Sequence, residues 1–598
     1  MNCFPKVVAM CLLAGICSAD LLAQTREELR DALKNAPRNL PWTPSTRSAF
    51  NSGSEKIDPG LLAIADSVSS KGLDTLETVA KLVGVPTSHG MVEVSLIAEN
   101  EKRVASLRKK ISQLRGRVLT TYKTHVFAFM PPGQIPSLSK LKGLYFAASP
   151  NIAYADQDLS NGSFDESISK IKADRLQKAG FRGQGIKVGI LDFGFQGYQA
   201  LQAAGKLPAP AMSKTFNESG HLENGQVHGA ACAEIIHTMA PDAQLFLAGM
   251  GEGDGTAPED QIILGARWLK SQGVDIISFS GGGHYGPHNG KGVLDLLVEE
   301  ITADHKVLWV NAAGNEAGRH FRTDFPGVSA DGWIPIGQYE AIAVAPAPDG
   351  AISLLVNWDD WGDDALHPSA TQDIDAVLFA FDKTTGKATF IADSHTAQNG
   401  RTPPVERIFG KGEAGVVYLL ELHATQVKRP VRIHVYSNAA GGLIEPLDPT
   451  GSIAIPATSP AALTVGAINI ENGELESYSS RGPTDDNRAK PDLSSYDRVS
   501  SLSYGHRFTG TSAACPNVAG LAALLKSAHP EDDATALRRQ LMLNLRHQAS
   551  DDPGFGAGIT EVKSTPSITK AEKSKVSKLQ PSSPTLKPVA APPEERNQ

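Results

Sequence analysis

From Gly185 onward, short apolar runs alternate with amphipathic stretches, and this rhythm constrains the fold more than any other feature of the chain. "IKVGILDFG", "DAQLFLAGM", "VDIISFSGGG" and "KVLWVNAAGN" have the pattern of short buried strands, and "PEDQIILGARWLKSQG" carries apolar residues at helical spacing. Strands alternating with helices predict an α/β fold: a parallel sheet with helices on both faces, its chemistry gathered at the carboxyl ends of the strands. The rhythm breaks over 327–450, where "AISLLVNWDDW", "DIDAVLFAFD", "GVVYLLELH" and "VRIHVYS" are strands separated by polar, turn-rich stretches without a helix. That pattern predicts an inserted all-β sandwich of the jelly-roll kind. The α/β pattern returns at "PAALTVGAIN", so the domain is expected in two parts, 180–326 and 451–558.

Upstream, Val92, Val94 and Leu96 alternate as in a half-buried strand, and Val104, Leu107, Ile111 and Leu114 follow at helical spacing. "RVLTTYKTHVFAFMPP" reads as strand and Leu138 to Phe146 as a second helical stretch, together predicting a small α+β module over 91–155. Residues 24–90 read as a linker or helical segment, and 559–598, rich in Pro, Ser and Lys, as a disordered tail. At the start, Lys6 precedes an apolar run from Val7 to Ala19. The run falls short of the roughly 20 residues that span a bilayer, so 1–23 is expected to be a signal peptide, cut after Ala19 or Ala23. The chain is then secreted, without stable membrane insertion. A formal charge of −8 gives no pull toward nucleic acid.

A serine hydroxyl becomes a useful nucleophile when a histidine takes its proton and a carboxylate orients the imidazole. "GTSAACPNVAG" places Ser512 after Gly-Thr at the start of a small-residue helix; "ILDFG" ends an apolar strand on Asp192; "VHGAACAEII" opens an apolar helix with His228. Each alone has a bland reading, as helix cap, turn-capping acid and structural histidine.

Together, in the order Asp192, His228, Ser512 with glycine beside each, they resemble the subtilisin-like serine peptidases. "NAAGNEAG" resembles that family's oxyanion block, and "SYSSRGPTDDNRAKPDL" its Ser-x-Arg-Gly-Pro signature. The resemblance covers about 185–326 and 451–556. It implies Ser512 as nucleophile, His228 as general base and then acid, Asp192 as the group that fixes the imidazole tautomer, and Asn315 as oxyanion donor. "GEGDGT" and "SFSGGG" resemble the two segments that flank an extended substrate, which nominates Gly251, Gly253, Ser280, Gly281 and Gly282, with Ala313 and Gly314 beside the oxyanion block.

The implied activity is a secreted serine endopeptidase acting on polypeptides, with the module at 91–155 as an inhibitory propeptide whose removal activates it. A secreted protein that keeps the fold but only binds is the alternative. The chemistry requires no cofactor and no metal. The family often carries structural calcium, and no segment here has a ligand spacing that assigns one. Several residues depart from the family's usual pattern. Phe193 follows the acid where a small hydroxyl residue is usual, and Gly281 stands where a larger residue is common, a change expected to widen the pocket for the residue before the scissile bond. Ala230 and Ala231 replace Thr-His, and Ala513 replaces methionine. Cys232 and Cys515 read either as two buried thiols or as a disulfide tying the His and Ser helices.

Overall fold

The computed structural model describes residues 19–36, 56–154, 159–160, 166–327, 331–413, 415–438, 442–547 and 552–564. Among the described residues the largest sheet has nine strands. Its order is Met212–Thr215, Gln244–Gly249, Lys187–Asp192, Ile276–Phe279, Leu308–Ala312, Leu463–Asn469, Leu493–Asp497, Ile559–Thr560 and Leu545–Arg546. Every neighbouring pair is parallel except the last. Helices cover both faces. One core joins the helices His228–Met239 and Thr511–Ala528 to the sheet, and the other joins Glu259–Ser271 and Val293–Thr302 to its opposite side. The fold is thus α/β and subtilisin-like with an added β domain.

Several boundaries move. The described chain runs on past 558: Ile559 and Thr560 join the main sheet, Val562 is buried, and Lys172 pairs with Glu561 at 2.7 Å, so the expected tail of 559–598 begins too early. Residues 565–598 and 1–18, which hold most of the expected tail and leader, lie outside the described residues. Of the two readings of 24–90, linker or helical segment, the described residues there include the helices Ala19–Asn35, Pro59–Lys71 and Leu76–Leu82, and the segment contributes to a core. Leu61 and Ile64 of the helix Pro59–Lys71 pack against Val92 and Val94, so the α+β module reaches back to Ile57. The stretch expected to be helical at Leu138–Phe146 is a 3₁₀ turn, Pro132–Lys140, followed by the strand Leu144–Ala148. Pro136 and the glycine at 143 break the helix that the apolar spacing suggests.

The insertion is two packed sheets, one ordered His320–Phe325, Val431–Ser437, Ala351–Trp358, Val405–Lys411, the other Lys387–Ser394, Asp373–Asp382, Val417–Gln426, Ile342–Ala345, Leu443–Glu445. It therefore begins at His320, before the expected 327. A seam of buried aromatic and imidazole rings joins it to the α/β domain. His284 stacks on Tyr436 at 4.0 Å between ring centres, His288 on His434 at 5.3 Å and His320 on His434 at 5.2 Å. Burial and the neighbouring imidazoles push His288 down to about 3 and His320 well below the usual histidine range.

Candidate active site

The apolar run Lys187–Asp192 delivers Asp192 to the carboxyl end of a central strand, where it is 1% exposed. Its Oδ1 accepts from the Phe193 N–H at 2.8 Å and lies 2.8 Å from His228 Nδ1. With Nδ1 donating, the neutral imidazole keeps its lone pair on Nε2, and that atom is buried with no hydrogen-bond partner. The approach depends on Gly229. Its N–H donates to Gly194 O at 2.9 Å, and an added Cβ would lie 2.6 Å from that oxygen and 2.9 Å from Asp192 Cβ. The rings of Phe193 and Phe508 stand nearly perpendicular to the imidazole, with centres 6.0 and 5.2 Å away.

Ser512 is the second residue of the helix Thr511–Ala528 and is fully buried, as is His228. Its Oγ donates to the Ser280 carbonyl at 3.1 Å, so the hydroxyl is turned from His228 Nε2 in this state. Pro516, four residues on, has no N–H to give to the Ser512 carbonyl. That oxygen instead accepts the Ser280 hydroxyl at 3.0 Å and the Cys232 thiol at 3.8 Å. The Ser512 N–H, in the first helical turn, has no intrahelical acceptor and is placed to meet an anion.

Asn315 lies after the strand Leu308–Ala312, and its Oδ1 accepts from both the N–H and the hydroxyl of Thr511 at 3.0 Å. The amide is thereby oriented with Nδ2 as its outward donor. Thr511 Oγ1 in turn accepts from the Gly314 N–H at 3.2 Å, joining the two blocks. Ser480, within the Ser-x-Arg-Gly-Pro block, braces the same turn: its N–H donates to Gly314 O at 2.9 Å, and its Oγ accepts from the Glu316 N–H at 3.1 Å. Burial alone would push the Glu316 carboxyl up, but His284, at 3.2 Å, together with Arg319 and the Ser480 hydroxyl, holds the group below its ordinary range.

The expected substrate contacts divide. Gly282 carries one side of a strand-like crevice: its carbonyl accepts from the Tyr154 N–H at 2.9 Å. The opposite side is Thr256–Pro258, antiparallel to Ile152–Tyr154, and not Gly251 or Gly253. The Gly251 carbonyl is taken by Asn224 Nδ2 at 2.8 Å and its N–H by Gln261 at 2.8 Å, while an added Cβ at Gly253 would lie 2.0 Å from Asn224 O. Ala313 and Gly314 spend their backbone groups on Val465, Ala454, Thr511 and Ser480. Ser280 faces Ser512, as above, and the Gly281 carbonyl is held by Asn311 Nδ2 at 3.2 Å. Nor does Gly281 open a wider pocket, because an added Cβ would fall 2.5 Å from Cζ of Phe193, whose ring fills that space. The two unusual residues compensate one another. Leu159–Ser160 pairs with His506–Phe508, the strand that leads into the Ser512 helix.

Cys232 and Cys515 are free thiols. Burial and the Asp192 charge push Cys232 well up, and burial pushes Cys515 up to about 12. Asp192, His228 and Cys232 offer ligand atoms within 4.8 Å of one another, close enough for a metal. With the thiol held protonated and Nδ1 engaged by Asp192, the set fits an Asp-His pair above a buried thiol better than a metal centre. Among the described residues no helix is long and apolar enough to cross a membrane.

Thr511, Asn311, Ser480 and Phe508 were not among the expected site residues. Thr511 had a signal, a hydroxyl directly before the serine, and Asn311 and Ser480 lie within the two quoted family blocks; Phe508 had none beyond its aromatic character.

The model of a family described as the subtilase family matches residues 183–558. Subtilisin E of Bacillus subtilis (strain 168) is 28% identical over 229 residues, covering 36% of this chain and 56% of its own length. The minor extracellular protease Vpr of the same strain is 21% identical over 517 residues, covering 77% of this chain and 61% of its own. The chain therefore spans about half the length of the curated relatives it matches. A solved structure of the Clostridium perfringens CspB protease shares the fold, with a TM-score of 0.50 at 17% identity, over 67% of this chain and 98% of that one.

Proposed function

Because the chain belongs to the subtilase family, we propose that it is a secreted serine endopeptidase, made as a precursor whose own N-terminal region occupies the cleft. The observation that carries the reading is the buried Asp192–His228 pair at 2.8 Å with Nε2 left free at the Ser512 helix. Catalysis begins when Ser512 Oγ leaves the Ser280 carbonyl for His228 Nε2, a tightening common when substrate arrives. Oγ then attacks the peptide carbonyl carbon as its proton passes to Nε2. The resulting oxyanion is met by Asn315 Nδ2 and the Ser512 N–H. His228 returns the proton to the leaving amine as the C–N bond breaks, giving an acyl-enzyme that water hydrolyses by the same route.

Substrate enters as an antiparallel strand between Thr256–Pro258 and Gly282, the geometry that Ile152–Tyr154 adopts. Main-chain pairing supplies affinity without reading side chains, which favours polypeptides of varied sequence. In the precursor Ile152–Tyr154 occupies the crevice and Leu159–Ser160 pairs with His506–Phe508, the strand that leads into the Ser512 helix, which makes a bond between Tyr154 and Leu159 the expected first cut. N-terminal sequencing of the activated protein tests this. A serine-directed phosphonate added to the activated protein is expected to stop casein hydrolysis and add its mass to the Ser512 peptide. Casein hydrolysis that continues with Ser512 labelled overturns the mechanism, and failure to hydrolyse casein at all favours a protein that only binds.

The contact between this N-terminal module and the α/β domain buries three acids. Glu93, from the strand Met91–Ala98, shares a hydrogen bond with Asp260, and Glu259 adjoins them at the start of the helix Glu259–Ser271. Burial, with the mutual repulsion of the acids, pushes Glu93 well up and Glu259 to about 8; burial pushes Asp260 to about 7. Docked, the acids keep protons that they would release in water. Docking is therefore strongest below the ordinary carboxyl range and weakens as pH rises through about 7 to 8. In full-length Ser512→Ala protein, hydrogen exchange within 91–98 is expected to quicken between pH 6 and 9 beyond the intrinsic exchange rate, with the excess largely removed in Glu93→Gln. An equal excess in both proteins would show that these acids do not control docking.

A further inference from the structure

The strands of a sandwich normally alternate, apolar toward the partner sheet and polar toward solvent. Two strands of the insertion do not. In Asp373–Asp382, Ala376 and Leu378 face the core between the sheets, while Val377, Phe379 and Phe381 are equally buried on the other side; in Val417–Gln426, Leu420 and Leu422 face inward and Val417 and Leu419 outward. A sheet apolar on both faces needs two covers. Here the second cover is the helix Ala19–Asn35, which sets Leu29, Ala32 and Leu33 into this outer face.

Its polar contacts are as specific. The Glu445 side chain, 6% exposed, lies between Arg26 at 2.9 Å and Arg30 at 2.7 Å, one helical turn apart. Without them it would be a nearly buried, uncompensated charge. Arg26 also donates to Ile444 O at 3.2 Å and to Gly318 O at 2.8 Å, three residues beyond Asn315, and Lys383 reaches Glu28 at 3.4 Å. Residues 37–55 separate this helix from the module that begins near Ile57, and the helix packs in a different core from that module.

We propose that the outer face of the inserted sandwich is a helix-binding groove whose dedicated occupant is residues 24–36 of this chain, held by its apolar face and by Arg26 and Arg30. The occupant stays in place once the chain between it and the α+β module is cut. The N-terminal region therefore grips the rest of the protein at two independent places, and loss of the module from the cleft does not strip the sandwich.

The test uses the full-length Ser512→Ala chain with a recognition sequence for a site-specific protease placed between residues 40 and 50, so it does not depend on the proposed activity. After cutting, the N-terminal piece is expected to co-elute with the body in one-to-one ratio on size exclusion, identified by mass. The same piece carrying Leu29→Asp and Leu33→Asp is expected to elute apart, leaving a body whose groove carries no substitution and is empty. A labelled synthetic peptide of residues 24–36 should then bind that body saturably by fluorescence anisotropy, and the Arg26→Glu, Arg30→Glu peptide at least about tenfold more weakly. Separation of the unaltered piece on cutting overturns the proposal, and this arm requires no variant of the helix to fold. Equal binding of both peptides overturns the role of Glu445.

Discussion

Ser512→Ala is expected to lower turnover of casein by about 10⁶-fold, the loss that removing the nucleophile causes in subtilisin itself. The side chain is small and fully buried, and its hydroxyl makes one hydrogen bond, to the Ser280 carbonyl at 3.1 Å. Alanine keeps the helix and its packing, so the melting temperature should move little while activity disappears. The variant should also persist as uncut precursor, because the same hydroxyl would have to sever the chain between Tyr154 and Leu159. Processing and casein hydrolysis at the original rates in purified Ser512→Ala would end the case for this serine. A precursor that matures only when active enzyme is added would separate lost chemistry from lost folding.

The second large effect is expected from Asp192→Asn, about 10⁴-fold in turnover. Asparagine has the shape of aspartate and could keep its oxygen between the Phe193 N–H and His228 Nδ1, both now at 2.8 Å from Oδ1. What it lacks is charge. When His228 takes the serine proton, the imidazolium forms in a site walled by Phe193 and Phe508, where water does little to solvate it. Asparagine also brings a buried NH₂ to the place of Oδ2, which has no partner in the structure. The alternative amide orientation donates to Nδ1 and shifts the imidazole proton to Nε2, the atom that must accept from Ser512. Either way turnover should collapse while phosphonate-independent binding of an extended peptide persists. Comparable losses in binding and turnover would mean that the substitution has damaged the crevice.

The α/β domain and its pairing of Asp192 with His228 were legible because the signal is local. An apolar strand ending in an acid, and a helix opening on His-Gly, each announce themselves within ten residues. Gly251 and Gly253 misled for a related reason. A glycine-rich stretch signals that backbones approach closely, without saying which ones: here Asn224 claims the approach at both, and the neighbouring strand Thr256–Pro258, whose proline argues against pairing, lines the crevice. The strand His320–Phe325, "HFRTDF", carries too few apolar residues to advertise membership in the sandwich. The role of residues 24–36 was hidden because the helix and its groove lie more than 300 positions apart. Yet the doubled apolar pattern of "DAVLFAF" was open to view, and a strand apolar on both faces requires a cover on each.

Phe193 and Gly281 carry a consequence for how this chain can change. Serine at 193 alone would leave a ring-sized hollow beside His228, a loss of about 3–5 kcal/mol by analogy with other buried Phe truncations. A larger residue at 281 alone would drive its Cβ to 2.5 Å from the Phe193 ring. Each step toward the commoner pair is harmful while the other position stands as it is, and the two together relieve both faults. The pair therefore behaves as one coupled unit in this chain, each change harmful unless the other accompanies it.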